Sequence, residues 1–147
     1  YILSAIKSRT GSKLTTMEGL PQLCRIAGAN FEKISGPDSF EIIQGLYDET
    51  FPKLMKRTEV YDVVFIDGNH KKKPTLDYFN LLKTKTSDKA VFVFDDINWD
   101  KEMKEAWRII QADTDINFSI DLYKLGIVLI DKTTRPQHVN AELFYAY

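Results

Sequence analysis

Apolar residues in the middle of the chain form two short continuous runs with a segment of helical period between them. The runs end the segments 61–66 (YDVVFI) and 90–94 (AVFVF), and such runs are typical of parallel strands covered on both faces. Between them, Leu76, Phe79 and Leu82 recur every three residues, which indicates an amphipathic helix. The pattern therefore predicts a strand–helix–strand unit.

The segment after the second run alternates between helix and strand patterns. Residues 101–112 carry one apolar stripe and are predicted to be a helix. Residues 116–122 and 126–130 are apolar and joined by too few residues for a helix, so they are predicted to be an antiparallel pair.

The first sixty residues show weaker patterns. They predict a short helix from Ile2, a strand at 13–18, a helix from Pro21 to Gly28, a strand at 31–35, and a helix whose apolar face holds Phe40, Ile43, Leu46 and Tyr47. Alternating strands and helices that end in a hairpin predict a doubly wound, mostly parallel α/β sheet in three α/β/α layers. We expect one domain over residues 1–131 and a C-terminal tail at 132–147.

Composition narrows the class of protein. The chain has 147 residues, 44% of them hydrophobic, and a net charge of −1. This describes a globular domain with no electrostatic footprint for nucleic acid and no membrane-spanning run. The single cysteine, Cys24, rules out a disulfide within the chain and is typical of a reducing, cytoplasmic compartment.

Acidic residues follow four of the predicted strands. In an open α/β sheet, ligands bind beyond the carboxyl ends of the strands. Two carboxylates 4 Å apart there repel by about 4 kcal/mol at an effective dielectric constant near 20, so clustered acids indicate a cation or a polar ligand. Each acid could instead cap the helix that follows its strand. The four segments are 18–19, 36–39, 67–70 and 95–100.

Two of these segments carry a family resemblance. Residues 61–70 (YDVVFIDGNH) and 90–96 (AVFVFDD) resemble the central part of class I S-adenosylmethionine-dependent methyltransferases. The likeness is greatest to small-molecule O-methyltransferases of the catechol type and to relatives with a D-G-x-H motif. It extends over residues 1–131 and implies a Rossmann-like fold, S-adenosylmethionine as cofactor, and methyl transfer to a hydroxyl group.

The resemblance implies a role for each matching residue. Glu18, at the end of the family's second strand, would hold the ribose hydroxyls of the cofactor. Asp67 and His70 would be catalytic, with His70 as the general base. The residues that the resemblance places beside the cofactor are Glu18, Gly19, Gly36, Ser39, Asp67 and Gly68.

A metal site is the second expectation from the resemblance. Asp67, Asp95 and Asp96 would supply oxygen ligands suited to Mg²⁺, which would activate the acceptor hydroxyl. The catechol-type enzymes usually have Asn at the position of Asp96 and often Lys at that of His70. Whether Mg²⁺ takes part therefore stays open.

The chain also departs from the family. It begins at Tyr1, and none of its seven glycines lies two positions from another, so the family's glycine-rich loop and first strand are absent from it. Without that central strand we expect two half-sheets with unpaired edges. A non-catalytic Rossmann-like module and a phosphoryl-transfer or receiver-type domain remain alternative functions, and a homodimer is an assembly that the sequence leaves open.

Overall fold

The structure, a computed structural model, describes residues 1–143, and its internal contacts divide the chain into two compact units. The first unit comprises residues 1–57. Its elements are α1 (Ile2–Ile6), β1 (Leu14–Glu18), α2 (Pro21–Glu32), a single 3₁₀ turn (Pro37–Ser39), β2 (Phe40–Gln44) and α3 (Tyr47–Met55).

The first unit is built on a parallel pair of strands. β1 pairs with β2 from Leu14 opposite Phe40 to Glu18 opposite Gln44, and α2 crosses from one strand to the other. The β2 residue Glu41 accepts both hydrogen bonds of a two-pronged contact with Arg57, at 2.7 and 3.0 Å. This contact fastens the second residue after α3 to the sheet.

Two predictions in the first unit are wrong. The predicted strand at 31–35 is the end of α2 and the turn after it, because Gly28 does not end the helix. Gly28 lies inside α2 and faces Ile42, so the glycine allows helix and strand to approach closely. The segment predicted as a helix around Phe40 and Ile43 is strand β2, and the helix α3 begins only at Tyr47.

The second unit begins at residue 58 and contains a five-stranded sheet. Its elements are β3 (Tyr61–Ile66), α4 (Lys72–Lys83), β4 (Thr86–Phe94), α5 (Lys101–Gln111), β5 (Phe118–Asp121), β6 (Gly126–Asp131) and β7 (Val139–Glu142). The predicted strands, helices and hairpin of this half are all confirmed, with boundaries that differ by a few residues.

The strand order in the second unit is β3-β4-β6-β5-β7. β3 and β4 are parallel, as the intervening helix α4 requires, and β6 runs antiparallel to both β4 and β5. The carboxyl ends of β3, β4 and β5 therefore lie at one edge of the sheet. The short strand β7, which no sequence pattern predicted, adds to β5 in parallel within the segment 132–147.

The core of the second unit lies between one face of the sheet and helices α4 and α5. Phe79 of α4 is 1% exposed and contacts Phe92 and Phe94 edge to face, at 5.2 and 5.7 Å between ring centroids. Trp107 of α5 packs on Phe94 at 6.0 Å. The helical stripe and the inward-facing residues of the apolar strand runs thus bury each other. Val63 and Phe65, on the other face of β3, are 56% and 47% exposed, so the expectation that this strand is covered on both faces is wrong.

The described strands form two separate sheets, which agrees with the expectation of two half-sheets. The mixed α/β fold with parallel strands and an antiparallel C-terminal hairpin is confirmed. The division into a domain at 1–131 and a tail at 132–147 stays a prediction.

Candidate functional site

Three loops meet at the carboxyl edge of the five-stranded sheet. The backbone N–H of Asp95 donates to the carbonyl of Ile66 at 3.0 Å, which joins the loops after β4 and β3. The N–H of Ile97 donates to Lys124 at 3.1 Å, which joins the loop after β4 to the β5–β6 turn. Hydrogen bonds therefore hold the three loops at this edge together.

Backbone strain is concentrated at the same edge. Asn69, Asp96 and Tyr123 have φ values of 62°, 50° and 69°, and one of them lies in each of the three loops. A non-glycine residue in the left-handed region costs on the order of 1 kcal/mol and persists where the surrounding structure imposes it. Strained residues of this kind are frequent at functional sites.

The acidic residues predicted at this edge do come together. Burial raises the pKa of the Asp67 carboxyl, and the negative charge of Asp95 raises it further, followed by that of Asp96. The charge of His70 lowers the pKa of Asp67. The carboxylates therefore crowd one another, as the strand-end pattern indicates.

Helix capping accounts for only one acid of this edge. Asp100 caps α5, with its Oδ1 accepting from the N–H of Met103 at 2.8 Å. The Asp95 carboxylate accepts from the neighbouring N–H of Asp96 at 3.0 Å, and α4 begins without a side-chain cap. Asp67 and Asp95 thus do not act as caps for the helices that follow their strands.

His70 lies beside both an acid and an aromatic ring. Its Nε2 atom is 3.7 Å from Oδ1 of Asp67, an ion-pair distance when the imidazole is protonated. Its ring lies 5.9 Å from that of Trp99, with an angle of 30° between the planes. The edge therefore presents a histidine with a carboxylate on one side and an indole on another.

The three carboxylates do not form a preformed metal centre. Within residues 1–143, no three His, Cys, Asp or Glu side chains are arranged so that they could hold a metal ion. The donor chemistry of Asp67, Asp95 and Asp96 nevertheless fits Mg²⁺, since all three supply hard oxygen ligands. The predicted metal role of these residues stays a prediction.

The first unit has a second carboxyl edge, where Glu18 lies. The N–H of Gly45 donates to the carbonyl of Glu18 at 3.0 Å, so the ends of β1 and β2 are adjacent. One carboxylate oxygen of Glu18, Oε1, accepts from the N–H of Leu20 at 2.8 Å at the start of α2. Glu18 and Gly19 therefore lie at the carboxyl end of a parallel strand, as the sequence analysis predicted.

The structure places Gly36 and Ser39 elsewhere. Both precede β2, at its amino end, so they lie at the edge opposite to Glu18. The expectation that they follow a strand is wrong because residues 31–35 are not a strand. The hydroxyl of Ser39 accepts from that of Ser35 at 2.7 Å within this turn.

Sequence reasoning missed the residues that do follow β2. Gly45 has a φ of 143°, and a Cβ there would lie 2.8 Å from Thr50 Cγ2, so only glycine fits. Leu46 is 67% exposed and lies beside Gly19, 3.7 Å from where a Cβ of that glycine would be. The signal was present as a β-branched pair, Ile42 and Ile43, followed closely by a glycine.

Comparison with known proteins decides the family. Residues 1–97, which include both carboxyl edges with Asp67 to His70 and Asp95, match the family model described as a methyltransferase domain. The chain belongs to this family. The resemblance drawn from the sequence is thereby confirmed, and the methyltransferase interpretation is favoured over the receiver-type alternative.

Solved structures share the fold of this methyltransferase domain. An O-methyltransferase from Bacillus cereus in complex with SAH superposes with a TM-score of 0.67 at 19% identity, covering 84% of this chain and 64% of that one. TomG from Streptomyces achromogenes, an O-methyltransferase of tomaymycin synthesis in complex with SAM, gives 0.66 at 19%, with 81% and 62% covered. The SAH-bound methyltransferase PaMTH1 from Podospora anserina gives 0.64 at 15%, with 84% and 62% covered.

The methyltransferase chain thus spans less than two thirds of the length of these structures. No curated protein matches its sequence. Among the residues that the structure describes, no helix has both the length and the apolar character needed to cross a membrane.

Proposed function

We propose that this chain is part of an S-adenosylmethionine-dependent O-methyltransferase that acts on a hydroxyl group of a small molecule. The observation that carries the proposal is the pairing of His70 with Asp67 at the carboxyl edge of the five-stranded sheet, inside the segment that matches the family. Ligands of open α/β folds bind at this edge.

The His70–Asp67 pair suits the removal of a proton from an acceptor hydroxyl. With Nε2 directed at Asp67, the Nδ1 atom of a neutral imidazole is the one that accepts the proton. The resulting imidazolium lies 3.7 Å from the Asp67 carboxylate, which stabilises the new positive charge. Asp67 thereby favours proton transfer without taking the proton itself.

S-adenosylmethionine, when bound, supplies an electrophilic methyl group on a sulfonium. With the cofactor bound, the acceptor oxygen would give its proton to His70 and bond to the methyl carbon, while the carbon–sulfur bond would break and leave its electron pair on sulfur. The positive charge would thus pass from the sulfonium to the protonated His70.

Glu18 is the residue that we propose for the ribose of the cofactor. A carboxylate accepts from two neighbouring hydroxyls at once. Gly19 and Gly45 lie beside it and have no side chains, so a ligand can approach the backbone at this edge. We place the ribose against Glu18 in the first unit, with Gly19 and Gly45 beside it; the cofactor contacts expected for Asp67 and Gly68 stay a prediction.

Mg²⁺ is a second form of the proposal, with Asp67, Asp95 and Asp96 as the residues that would hold it. Bound there, it would lower the pKa of the acceptor hydroxyl. A chelator distinguishes the two forms. Turnover that survives EDTA assigns the proton to His70 alone, whereas loss that Mg²⁺ restores assigns a metal to the carboxylates.

The cofactor part is tested by calorimetry with S-adenosylmethionine. Glu18→Ala should weaken binding by about 1–3 kcal/mol, since two charge-assisted hydrogen bonds are lost. Glu18→Gln is the matched control, because its amide oxygen still accepts from Leu20. Equal affinity of the wild type and a folded Glu18→Ala variant would remove Glu18 from the site.

The catalytic part is tested by methyl transfer from isotopically labelled cofactor to a panel of phenols, sugars and aliphatic alcohols. His70→Ala should lower kcat by about 10²–10⁴-fold and leave cofactor affinity unchanged. A protein that binds the cofactor but methylates no acceptor would favour the non-catalytic module.

The remaining features of the proposal concern the setting of the protein. We propose a cytoplasmic location, supported by the single cysteine, Cys24, which is buried and unpaired by disulfide. The net charge of −1 supports a small-molecule acceptor over nucleic acid. A homodimer is tested by the mass of the protein in solution.

A further inference from the structure

Trp99 is an exposed aromatic residue on a fixed loop. Its side chain is 68% exposed, whereas Ile97, two positions earlier, is 1% exposed. The N–H of Trp99 donates to the carbonyl of Asp96 at 2.9 Å, and the amide Nδ2 of Asn98 donates to Tyr123 at 2.7 Å. Core packing therefore does not explain the position of this indole.

The ring that Trp99 contacts is that of His70. The centroids are 5.9 Å apart and the planes 30° from parallel, so the two rings are neighbours in a tilted arrangement. Asp67 approaches the same imidazole through Nε2 at 3.7 Å. Two groups from two different loops thus lie beside the ring of His70, the Trp99 indole and the Asp67 carboxylate.

His70 needs such support because of where it lies. Its side chain is 31% exposed, and it follows Asn69, which holds a left-handed backbone conformation. A surface imidazole attached to a loop samples several rotamers unless contacts select one of them. The Asp67 contact alone leaves the ring able to turn about the line that joins the two side chains.

We propose that Trp99 is a positioning residue for His70. It holds the imidazole in the orientation in which Nε2 faces Asp67 and Nδ1 takes the proton of the substrate hydroxyl. The inference rests on the proposed function of His70. It adds that the base is assembled from the loops after β3 and β4, and that the hydrogen bonds between these loops set its geometry.

The first test is the magnetic resonance of the His70 ring, which needs no acceptor. The chain contains two histidines, His70 and His138, so a His70→Gln variant assigns the signals. The ring current of an indole displaces the resonances of protons close to it. Trp99→Ala should therefore shift the His70 ring signals, while Trp99→Phe should restore most of that shift.

Tyr123→Asn is the matched control for the loss of an exposed aromatic side chain at the same edge. Tyr123 is 62% exposed and has a φ of 69°, which asparagine tolerates. This variant should leave the His70 signals in place. His70 resonances that are identical in wild type and Trp99→Ala would overturn the proposal, whatever the activity of the variant.

The second test is a double-mutant cycle on turnover. Trp99→Ala should lower kcat by about 2- to 10-fold, the factor that an aromatic pair contributes, and leave the KM for the cofactor unchanged. In a His70→Ala background the same change should have no further effect on kcat. An equal loss in both backgrounds would show that Trp99 acts independently of His70 and would overturn the proposal.

The two proposals fail in different ways. Full activity of His70→Ala would remove His70 as the base and, with it, the role of Trp99 in positioning that base. If His70→Ala loses activity as expected but the His70 signals are unshifted in Trp99→Ala, only the role of Trp99 is refuted. Trp99 is exposed, so its variants should fold, and circular dichroism checks this.

Discussion

Gly126, the first residue of β6, lies where the structure leaves no room for a side chain. A Cβ there would lie 2.6 Å from Cζ3, 2.7 Å from Cη2 and 2.9 Å from Cε3 of Trp107. Carbon atoms at rest are about 3.5–4.0 Å apart, so Gly126→Ala creates three overlaps of about 1 Å each. The indole must move or the strand must bend.

Trp107 has little freedom to move. It is 4% exposed, packs on Phe94, and donates from Nε1 to the Asp121 carboxylate at 2.8 Å. Overpacking of this kind costs about 1–3 kcal/mol, and loss of the hydrogen bond to a carboxylate adds to it. We expect Gly126→Ala to lower the free energy of unfolding by about 2–3 kcal/mol, or Tm by roughly 4–10 °C.

Thermal and urea unfolding, followed by tryptophan fluorescence, measure this effect. Gly28→Ala is the matched control, because its Cβ would meet Ile42 at an ordinary 3.7 Å inside α2. It should stabilise the protein by about 0.4–1 kcal/mol. Trp107→Phe should absorb part of the loss in a double variant, since the smaller ring vacates the space. A Gly126→Ala protein as stable as the wild type would refute the packing that we describe around Trp107.

Three further predictions concern charged residues. Asp67→Asn should lower turnover yet raise Tm near neutral pH, because it removes the repulsion from Asp95; a lower Tm would contradict the crowding. Hydrogen bonds from Arg57 and then Lys13 lower the pKa of Glu41 from 4.5 to about 2, so its contribution of about 1–2 kcal/mol is present above pH 4.5 and lost as the pH falls towards 2. Acid titration of the Glu41→Gln variant should lack that loss. Lys83→Met should cost about 2–4 kcal/mol in urea unfolding, because it leaves two aspartates that Lys83 contacts at 2.7 and 2.8 Å without their cation.

The second unit could be predicted from the sequence because its local patterns and its tertiary contacts agree. The stripe of α5 and the apolar run of β4 specify both element type and buried face, and the structure packs these faces together. The strand-end acids were predictable for the same reason: once β3 and β4 are recognised as parallel strands, their carboxyl ends must share an edge.

The first unit was less predictable because glycine can either end a helix or allow a helix to pack closely against a strand. A glycine such as Gly28 often ends a helix, but here it lies within α2 and faces the side chain of Ile42. The local sequence does not reveal this contact. The misplaced strand at 31–35 then shifted the assignment after it, and Gly36 and Ser39 were assigned to the wrong edge. Gly45, which follows the real strand, was passed over.

Only one part of the arrangement around His70 could be predicted from the sequence. The D-G-x-H motif indicates a histidine three residues after an acid, and the ion-pair distance to Asp67 follows from that local spacing. The contact with Trp99 does not, because it joins loops 29 residues apart in the chain whose separation is set by the hydrogen bond from Asp95 to Ile66. A motif can therefore indicate the histidine, but the sheet that carries both loops determines what surrounds its ring.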